Sequence, residues 1–167
     1  DNAPPTPSDD VTSEFYKWDS MLAAKLISSS DVSFVIPRRN WANSTTYDMY
    51  EHDISASNTT TSSAINLYDS TFYFMTSAFR VYKVLDNNGG AAYSGAEPTT
   101  VTFNPFELGG YTLQYMYTLS QSQISKFLTS DFIPVTTDTN VSGAALDGSI
   151  DALRVTAGSG YTDGTYY

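Results

Sequence analysis

The sequence contains no cysteine. That removes disulfides, thiolate nucleophiles and cysteine metal ligands together, and it is compatible with assembly in a reducing cytoplasm. Histidine is almost as scarce, with His52 the single one. A zinc site needs three or four ligands drawn from Cys, His and carboxylates, and one histidine among scattered aspartates does not supply them. A Ser-His-Asp arrangement of His52 with Ser55 or Asp48 lacks the strand–turn–helix elbow of the G-x-S-x-G type, so His52 reads as an exposed or hydrogen-bonded structural residue. Basic charge is also short: eight Lys and Arg stand against eighteen Asp and Glu, a net charge of −10. Phosphate backbones bind basic surfaces through counterion release, and anionic bilayers favour the same surfaces. Neither nucleic acid nor a membrane is therefore an expected partner. No run approaches the roughly 18 apolar residues of a membrane-spanning helix.

Other chemistry is missing too. Gly89-Gly90 and Gly109-Gly110 lack the following Lys-Ser/Thr of a phosphate-binding loop. Asp48, Glu51 and Asp53 form the densest acidic cluster, but no D-x-D-x-D-G calcium loop contains them. A glycosidase would need two carboxylates facing one sugar bond. The cluster reads as a solvated loop. No catalytic, cofactor-binding or metal residues are expected.

What is present points to a β-rich globular chain. Of the 167 residues 41% are hydrophobic and 14% aromatic, thirteen of them tyrosines, while only 16% are charged where about 25% is usual. A domain of this length buries roughly 70% of the surface its unfolded chain exposes, so a core needs no staples. The tyrosines could line a sugar-binding groove, but core and interface packing is the better reading, since aromatic residues carry much interface energy.

Residues 1–11 read as an extended lead-in, because Pro4, Pro5 and Pro7 fix φ and remove donors. From Ser13 the period changes. Phe15, Trp18, Leu22 and Leu26 recur at three- and four-residue spacing beside Met21, which predicts an amphipathic helix over about 13–28, capped by Thr12 or Ser13 and ending in Ser28-Ser29-Ser30. Ser33 to Ile36 predicts a short strand stopped by Pro37. Tyr47, Met49 and His52 alternate on a strand near 46–54, and residues 55–63 form an exposed loop.

The strongest β signals are TFYFMT (71–76) and FRVYKVL (79–85). In the second, Phe79, Val81, Lys83 and Leu85 share one face and Arg80, Tyr82, Val84 and Asp86 the other. Both faces are apolar, as in a strand covered on both sides, with Lys83 reaching out to solvent. Asn87-Asn88-Gly89-Gly90 can supply the positive φ of a turn. Residues 91–108 read as a loop. YTLQYMYTL predicts a strand with Tyr111, Leu113, Tyr115, Tyr117 and Leu119 on one face. A Ser-capped short helix over about 122–128 follows, then a strand from Phe132 to Val135 interrupted by Pro134. Turns at Asp147-Gly148, Gly158-Ser159-Gly160 and Asp163-Gly164 punctuate the tail, with Leu153 and Val155 on one more strand. No interior linker divides the chain, so residues 1–167 are expected to form a single β-rich domain. The start at Asp1 and the stop at Tyr167 inside a strand-like run suggest a fragment of a longer chain.

One segment carries a resemblance. Val35-Ile36-Pro37-Arg38-Arg39-Asn40-Trp41 (VIPRRNW) resembles the VIPRRDW stretch of the dimeric baseplate wedge subunit of T-even-type contractile-tailed bacteriophages. Ala3-Pro4-Pro5 and Pro7 are similar to a proline cluster of that family, and Trp18 and Met21 to its Trp-x-x-Met helix. Val81-Tyr82-Lys83 with Leu85-Asp86 match its V-Y-R-x-L-D strand, and Gly110-Tyr111 with Tyr115 its G-Y-x-x-x-Y strand. These anchors run in family order over roughly residues 3–135. The family's long insertion after the V-Y-R strand is short here. Residues 136–167 lie outside the resemblance, and their GYTDGTYY ending is similar to segments of structural proteins from large phages of cyanobacteria.

The resemblance implies a mainly β fold, a layered antiparallel β-sandwich, to which the residue pattern adds the helices near 13–28 and 122–128. It implies a structural virion protein of the tail baseplate wedge, assembled in the host cytoplasm, acting as a homodimer with other wedge subunits, and needing neither catalysis nor a cofactor. Pro37, Arg38, Arg39 and Trp41 become the candidate partner-contact or fold-anchor residues. Guanidinium groups bond carboxylates bidentately. The expectation is that one arginine anchors the fold and the other meets a dimer mate or neighbouring subunit, with Trp41 packed beside them; that both act within the chain is the alternative. The competing functional reading is a carbohydrate-binding receptor or adhesin module, which requires exposed aromatics on one concave surface.

Overall fold

A computed structural model describes residues 11–136 continuously, with residues 6, 7, 9, 138, 139 and 143 beyond them. Most of the proline-rich lead-in, and the tail strand and turns expected after residue 143, lie outside the described residues. The chain divides into two compact units, residues 1–32 and 33–167.

In the first unit α1 spans Thr12–Ser20. It is shorter than the helix expected over 13–28, and Val11 rather than Thr12 or Ser13 holds the N-cap position. A short amphipathic helix draws its stability from packing its apolar face, and α1 buries no residue. Leu22 and Leu26 are 102% and 92% exposed, so among the described residues of this unit no packing carries the helix past Ser20. Instead the Ser20 hydroxyl donates back to the Tyr16 carbonyl (2.8 Å), a local bond that competes with the helical ladder, and Met21 is extended. The serine run still caps a turn, but a later one: the Asp31 carboxylate accepts from the Ser28 amide (3.1 Å) and hydroxyl (2.8 Å) around a 3-10 turn at Ser29–Asp31. Lys25 pairs with the same carboxylate.

The second unit contains β1 (Phe34–Pro37), β2 (Tyr73–Met75), β3 (Arg80–Asp86), β4 (Phe106–Leu108), β5 (Tyr111–Thr118), α2 (Gln121–Phe127) and β6 (Phe132–Val135). Among the described residues these make two antiparallel sheets, β1-β6 and β2-β3-β5-β4. This is the mainly β, layered antiparallel fold with helices that the pattern and the resemblance imply.

The two-faced reading of residues 79–85 is borne out. Tyr82 and Val84 of β3 enter one core with Tyr47, Phe74, Tyr93, Tyr111 and Leu113. Val81 enters a second core with Tyr73, Met75, Leu119 and Ile133, to which Ile36, Ile124 and Leu128 add from β1, α2 and the residue after it. The four-stranded sheet is thus a middle layer. Lys83 is half-buried and lies over the Tyr50 ring, its Nζ 3.6 Å from the centroid.

β5 does not keep one face throughout. Val81 pairs with Tyr117 but Tyr82 pairs with Tyr115, leaving Met116 as an extra residue. Such a bulge shifts the alternation by one. Tyr111, Leu113 and Tyr115 therefore serve the first core, while Tyr117 and Leu119 serve the second.

Two prolines sit in the small sheet, where a missing N–H would normally break a ladder. Antiparallel partners alternate between hydrogen-bonded and non-bonded pairs. The Arg38 amide donates to the Asp131 carbonyl (2.7 Å), which makes the next pair inward, Pro37·Phe132, a non-bonded one. Two positions on, Val35·Pro134 is non-bonded too. Neither proline therefore costs a ladder bond, and Pro37 does not stop the strand before it. Their outward carbonyls are used: Tyr73 of β2 donates its hydroxyl to Pro37 (2.6 Å), and Tyr117 of β5 donates to Pro134 (3.1 Å). Two tyrosines thus tie the small sheet to the large one. Burial pushes both hydroxyls up to about 12, so each stays a donor at ordinary pH.

Two further expectations are corrected. No strand forms near 46–54, because the backbone donors there go elsewhere: Tyr47 N–H to the Tyr111 hydroxyl (3.1 Å), Asp48 N–H to the Thr71 hydroxyl (3.2 Å) and Tyr50 N–H to the Val84 carbonyl (2.9 Å). In the 91–108 loop, residues 106–108 form β4, which pairs with β5 across Gly109-Gly110. Both glycines have positive φ, 64° and 85°, as a two-residue hairpin turn of the primed kind requires.

Candidate functional site

The VIPRRNW segment crosses the unit and sends neighbouring residues to different elements. Arg38 Nη1 donates to the Thr129 carbonyl (2.8 Å) and Nε to Asn40 Oδ1 (2.9 Å). With its amide on Asp131, Arg38 fixes the end of β1 to the turn between α2 and β6. Arg39 Nη2 donates to the carbonyls of Asp69 (2.9 Å) and Tyr68 (3.2 Å). The Arg39 carbonyl accepts from the Met75 amide (2.7 Å) and the Met75 carbonyl from the Trp41 amide (2.8 Å), which moors the segment to β2. Trp41 packs on the first core, edge-on to Tyr93 with ring centroids 6.0 Å apart. The four candidate residues Pro37, Arg38, Arg39 and Trp41 are thus one junction of β1, β2, the turn before β6 and the loop at 68–69. The acceptors are three backbone carbonyls and the Asn40 side-chain amide oxygen rather than the carboxylates that two adjacent arginines suggest.

A second construction lies beside this junction. Asp48 is fully buried. Its Oδ1 accepts from the Ser62 amide (2.7 Å), and its Oδ2 accepts from the hydroxyls of Ser62 (2.6 Å) and Ser70 (2.9 Å) and the Thr71 amide (2.8 Å). Burial alone would push the carboxyl up, yet the bonds from Ser62, Thr71 and Ser70 outweigh it and hold Asp48 below its ordinary range. This is an ionised carboxylate closing both ends of one loop, residues 62–71, and not part of a solvated acidic cluster. Sequence reading missed it because its partners lie 14 to 23 residues away, beyond any local spacing rule.

The arrangement suits holding surfaces in place. His52 is exposed on a turn. Among the described residues no group of three or more His, Cys, Asp or Glu side chains converges as a metal site would require, and no helix is long and apolar enough to cross a membrane. Tyr47, Tyr73, Tyr82, Tyr93 and Tyr111 are buried in the two cores, where packing and not sugar contact employs them.

The family model for Gp8 of bacteriophage T4 matches residues 1–96. The chain belongs to the Gp8 family. The match takes in the VIPRRNW junction, the Asp48 loop and β1 to β3. Gp8 is a baseplate wedge protein, and this Gp8-family chain is a structural subunit of the baseplate wedge in a contractile phage tail, placed in the virion among other baseplate proteins. No curated protein and no solved structure matches the chain.

Proposed function

We propose that this Gp8-family subunit enters the wedge as a homodimer and works by protein–protein assembly alone, without catalysis or a cofactor, after folding in the host cytoplasm. The observation that carries the reading is the family match over a segment whose backbone and side chains join β1, β2, the turn before β6 and the loop at 68–69. Within it, Arg38 is the fold anchor and Arg39 holds the partner-contact side. Arg38 is supported in that role by its bonds to Thr129, Asn40 and Asp131. Arg39 is supported by its grip on Tyr68 and Asp69, two exposed residues. Origin in a phage of cyanobacteria completes the reading, supported by the GYTDGTYY ending.

The test is sedimentation of the full-length protein, alone and with the remaining wedge proteins of its phage, for the parent, Arg38→Ala and Arg39→Ala. The expected result is a dimer that joins the wedge, with Arg38→Ala lowering the melting temperature and Arg39→Ala weakening assembly. A folded Arg39→Ala protein that dimerises and assembles like the parent would remove Arg39 from the contact. A monomer that ignores the wedge proteins would remove the dimer and direct work to glycan binding.

A further inference from the structure

Apolar side chains left in water on a rigid backbone are the usual signature of a contact site. The loop next to Arg39 has that form. Ala64 and Ser70 are buried, and the five residues between them are exposed. Three of these are large and apolar: Ile65, Leu67 and Tyr68 are 53%, 38% and 63% exposed.

The backbone beneath them is tied at several points. Asp48 closes the loop at Ser62 on one side and at Ser70 and Thr71 on the other. Asn66 locks the tip: its Oδ1 accepts from the Asp69 amide (3.0 Å), its Nδ2 donates to Asp69 Oδ2 (2.8 Å), and its carbonyl accepts from the Ser70 amide (3.3 Å). Arg39 holds the Tyr68 and Asp69 carbonyls from below. None of these bonds uses the apolar side chains. The order is therefore spent on presenting them, and a loop already ordered loses little entropy when a partner covers it.

We infer that Ile65, Leu67 and Tyr68 form a preformed docking knuckle that a neighbouring wedge protein, other than a second copy of this chain, receives in an apolar recess with a basic rim. The inference rests on the wedge reading above and adds to it the surface and its partner. Charge selects the occupant. A second copy also carries a net charge of −10, and a two-fold contact at this loop would bring the same patch of both copies together, setting Asp69 against Asp69. A basic-rimmed partner is complementary where a copy of this chain is not, and complementary charge favours correct encounter.

The experiment compares the full-length parent with the triple variant Ile65→Ser, Leu67→Ser, Tyr68→Ser and with Asn66→Ala. Each is checked by thermal melting and sedimentation and then titrated against the purified wedge proteins of the same phage. The triple variant is expected to stay folded and self-associate like the parent, melting somewhat lower because Leu67 is only 38% exposed, while its affinity for one wedge protein falls at least about tenfold. Asn66→Ala keeps the apolar groups but frees the tip, and is expected to bind several-fold more weakly than the parent. Binding of the triple variant within about twofold of the parent would overturn the inference and leave the wedge reading standing. Loss of self-association with wedge binding intact would assign the knuckle to a second copy and also overturn it. A parent protein that binds no wedge protein would overturn the wedge reading itself and the knuckle with it.

Discussion

Replacing Asp48 by Asn isolates the charge of one buried group without changing its shape. The amide oxygen can take the place of Oδ2 and keep the bonds from the Ser62 and Ser70 hydroxyls and the Thr71 amide. The amide nitrogen then meets the Ser62 amide, donor against donor, where Oδ1 accepted at 2.7 Å. One charge-assisted bond is lost, at about 1.5–3 kcal/mol. The other three become neutral bonds of roughly half the strength. These losses sum to about 4–7 kcal/mol, and the smaller desolvation cost of a neutral amide returns part of that, which leaves a destabilisation of about 3–4 kcal/mol, measured as a lower urea midpoint with unchanged slope. The pH dependence gives an independent check. The native Asp48 pKa is depressed, so its stabilising effect is fully present above the unfolded value of about 4 and is lost as pH falls through the native one. The gap between parent and variant should therefore be constant near neutrality and shrink in acid. A variant within about 1 kcal/mol of the parent, or a gap that persists unchanged at the lowest pH where both fold, would refute the reasoning.

Other positions give sharper or opposite responses. Gly109→Ala places a Cβ 2.6 Å from the Tyr93 ring at φ +64°, whereas Gly89→Ala meets nothing within 4 Å at φ +65°; the second should cost about 1–2 kcal/mol for the left-handed backbone and the first clearly more, by chemical denaturation. Tyr73→Phe and Tyr117→Phe each remove a hydroxyl bonded to a proline carbonyl and should cost about 1 kcal/mol apiece. Because both native tyrosine pKa values are raised to about 12, stability is complete below the unfolded value of about 10 and falls as pH climbs towards 12, and the double Phe variant should show a flatter alkaline limb. Phe74→Ala, in the middle of the first core, should cost about 3–5 kcal/mol and lower the melting temperature accordingly.

Strand periodicity made the centre of the fold legible, because β3 is buried on both sides and its sequence is apolar on both. The prolines at 37 and 134 looked like strand breakers, and only the alternation of bonded pairs between β1 and β6 shows why they are tolerated. The face of β5 was legible as far as Tyr115. Beyond it a single bulged residue, Met116, reverses the parity, and no local property of Met announces a bulge. β4 is legible in the sequence as well: Phe106 and Leu108, then Gly109-Gly110, then Tyr111 is a hairpin pattern. The helix from Ser13 was over-extended because spacing reports which residues could share a face, not whether anything covers that face. At the site, the VIPRRNW segment was visible as a motif while its carbonyl acceptors, thirty and ninety residues away or so, were not. Asp48 was visible only as a member of an acidic cluster, since its burial depends on a loop folding back over it.

The most direct test of the account is sedimentation velocity on the full-length protein mixed with the purified remaining wedge proteins of its phage. The account predicts that the subunit sediments within a larger complex of defined stoichiometry. Sedimentation at the rate of the free protein, with every partner present and folded, would contradict it.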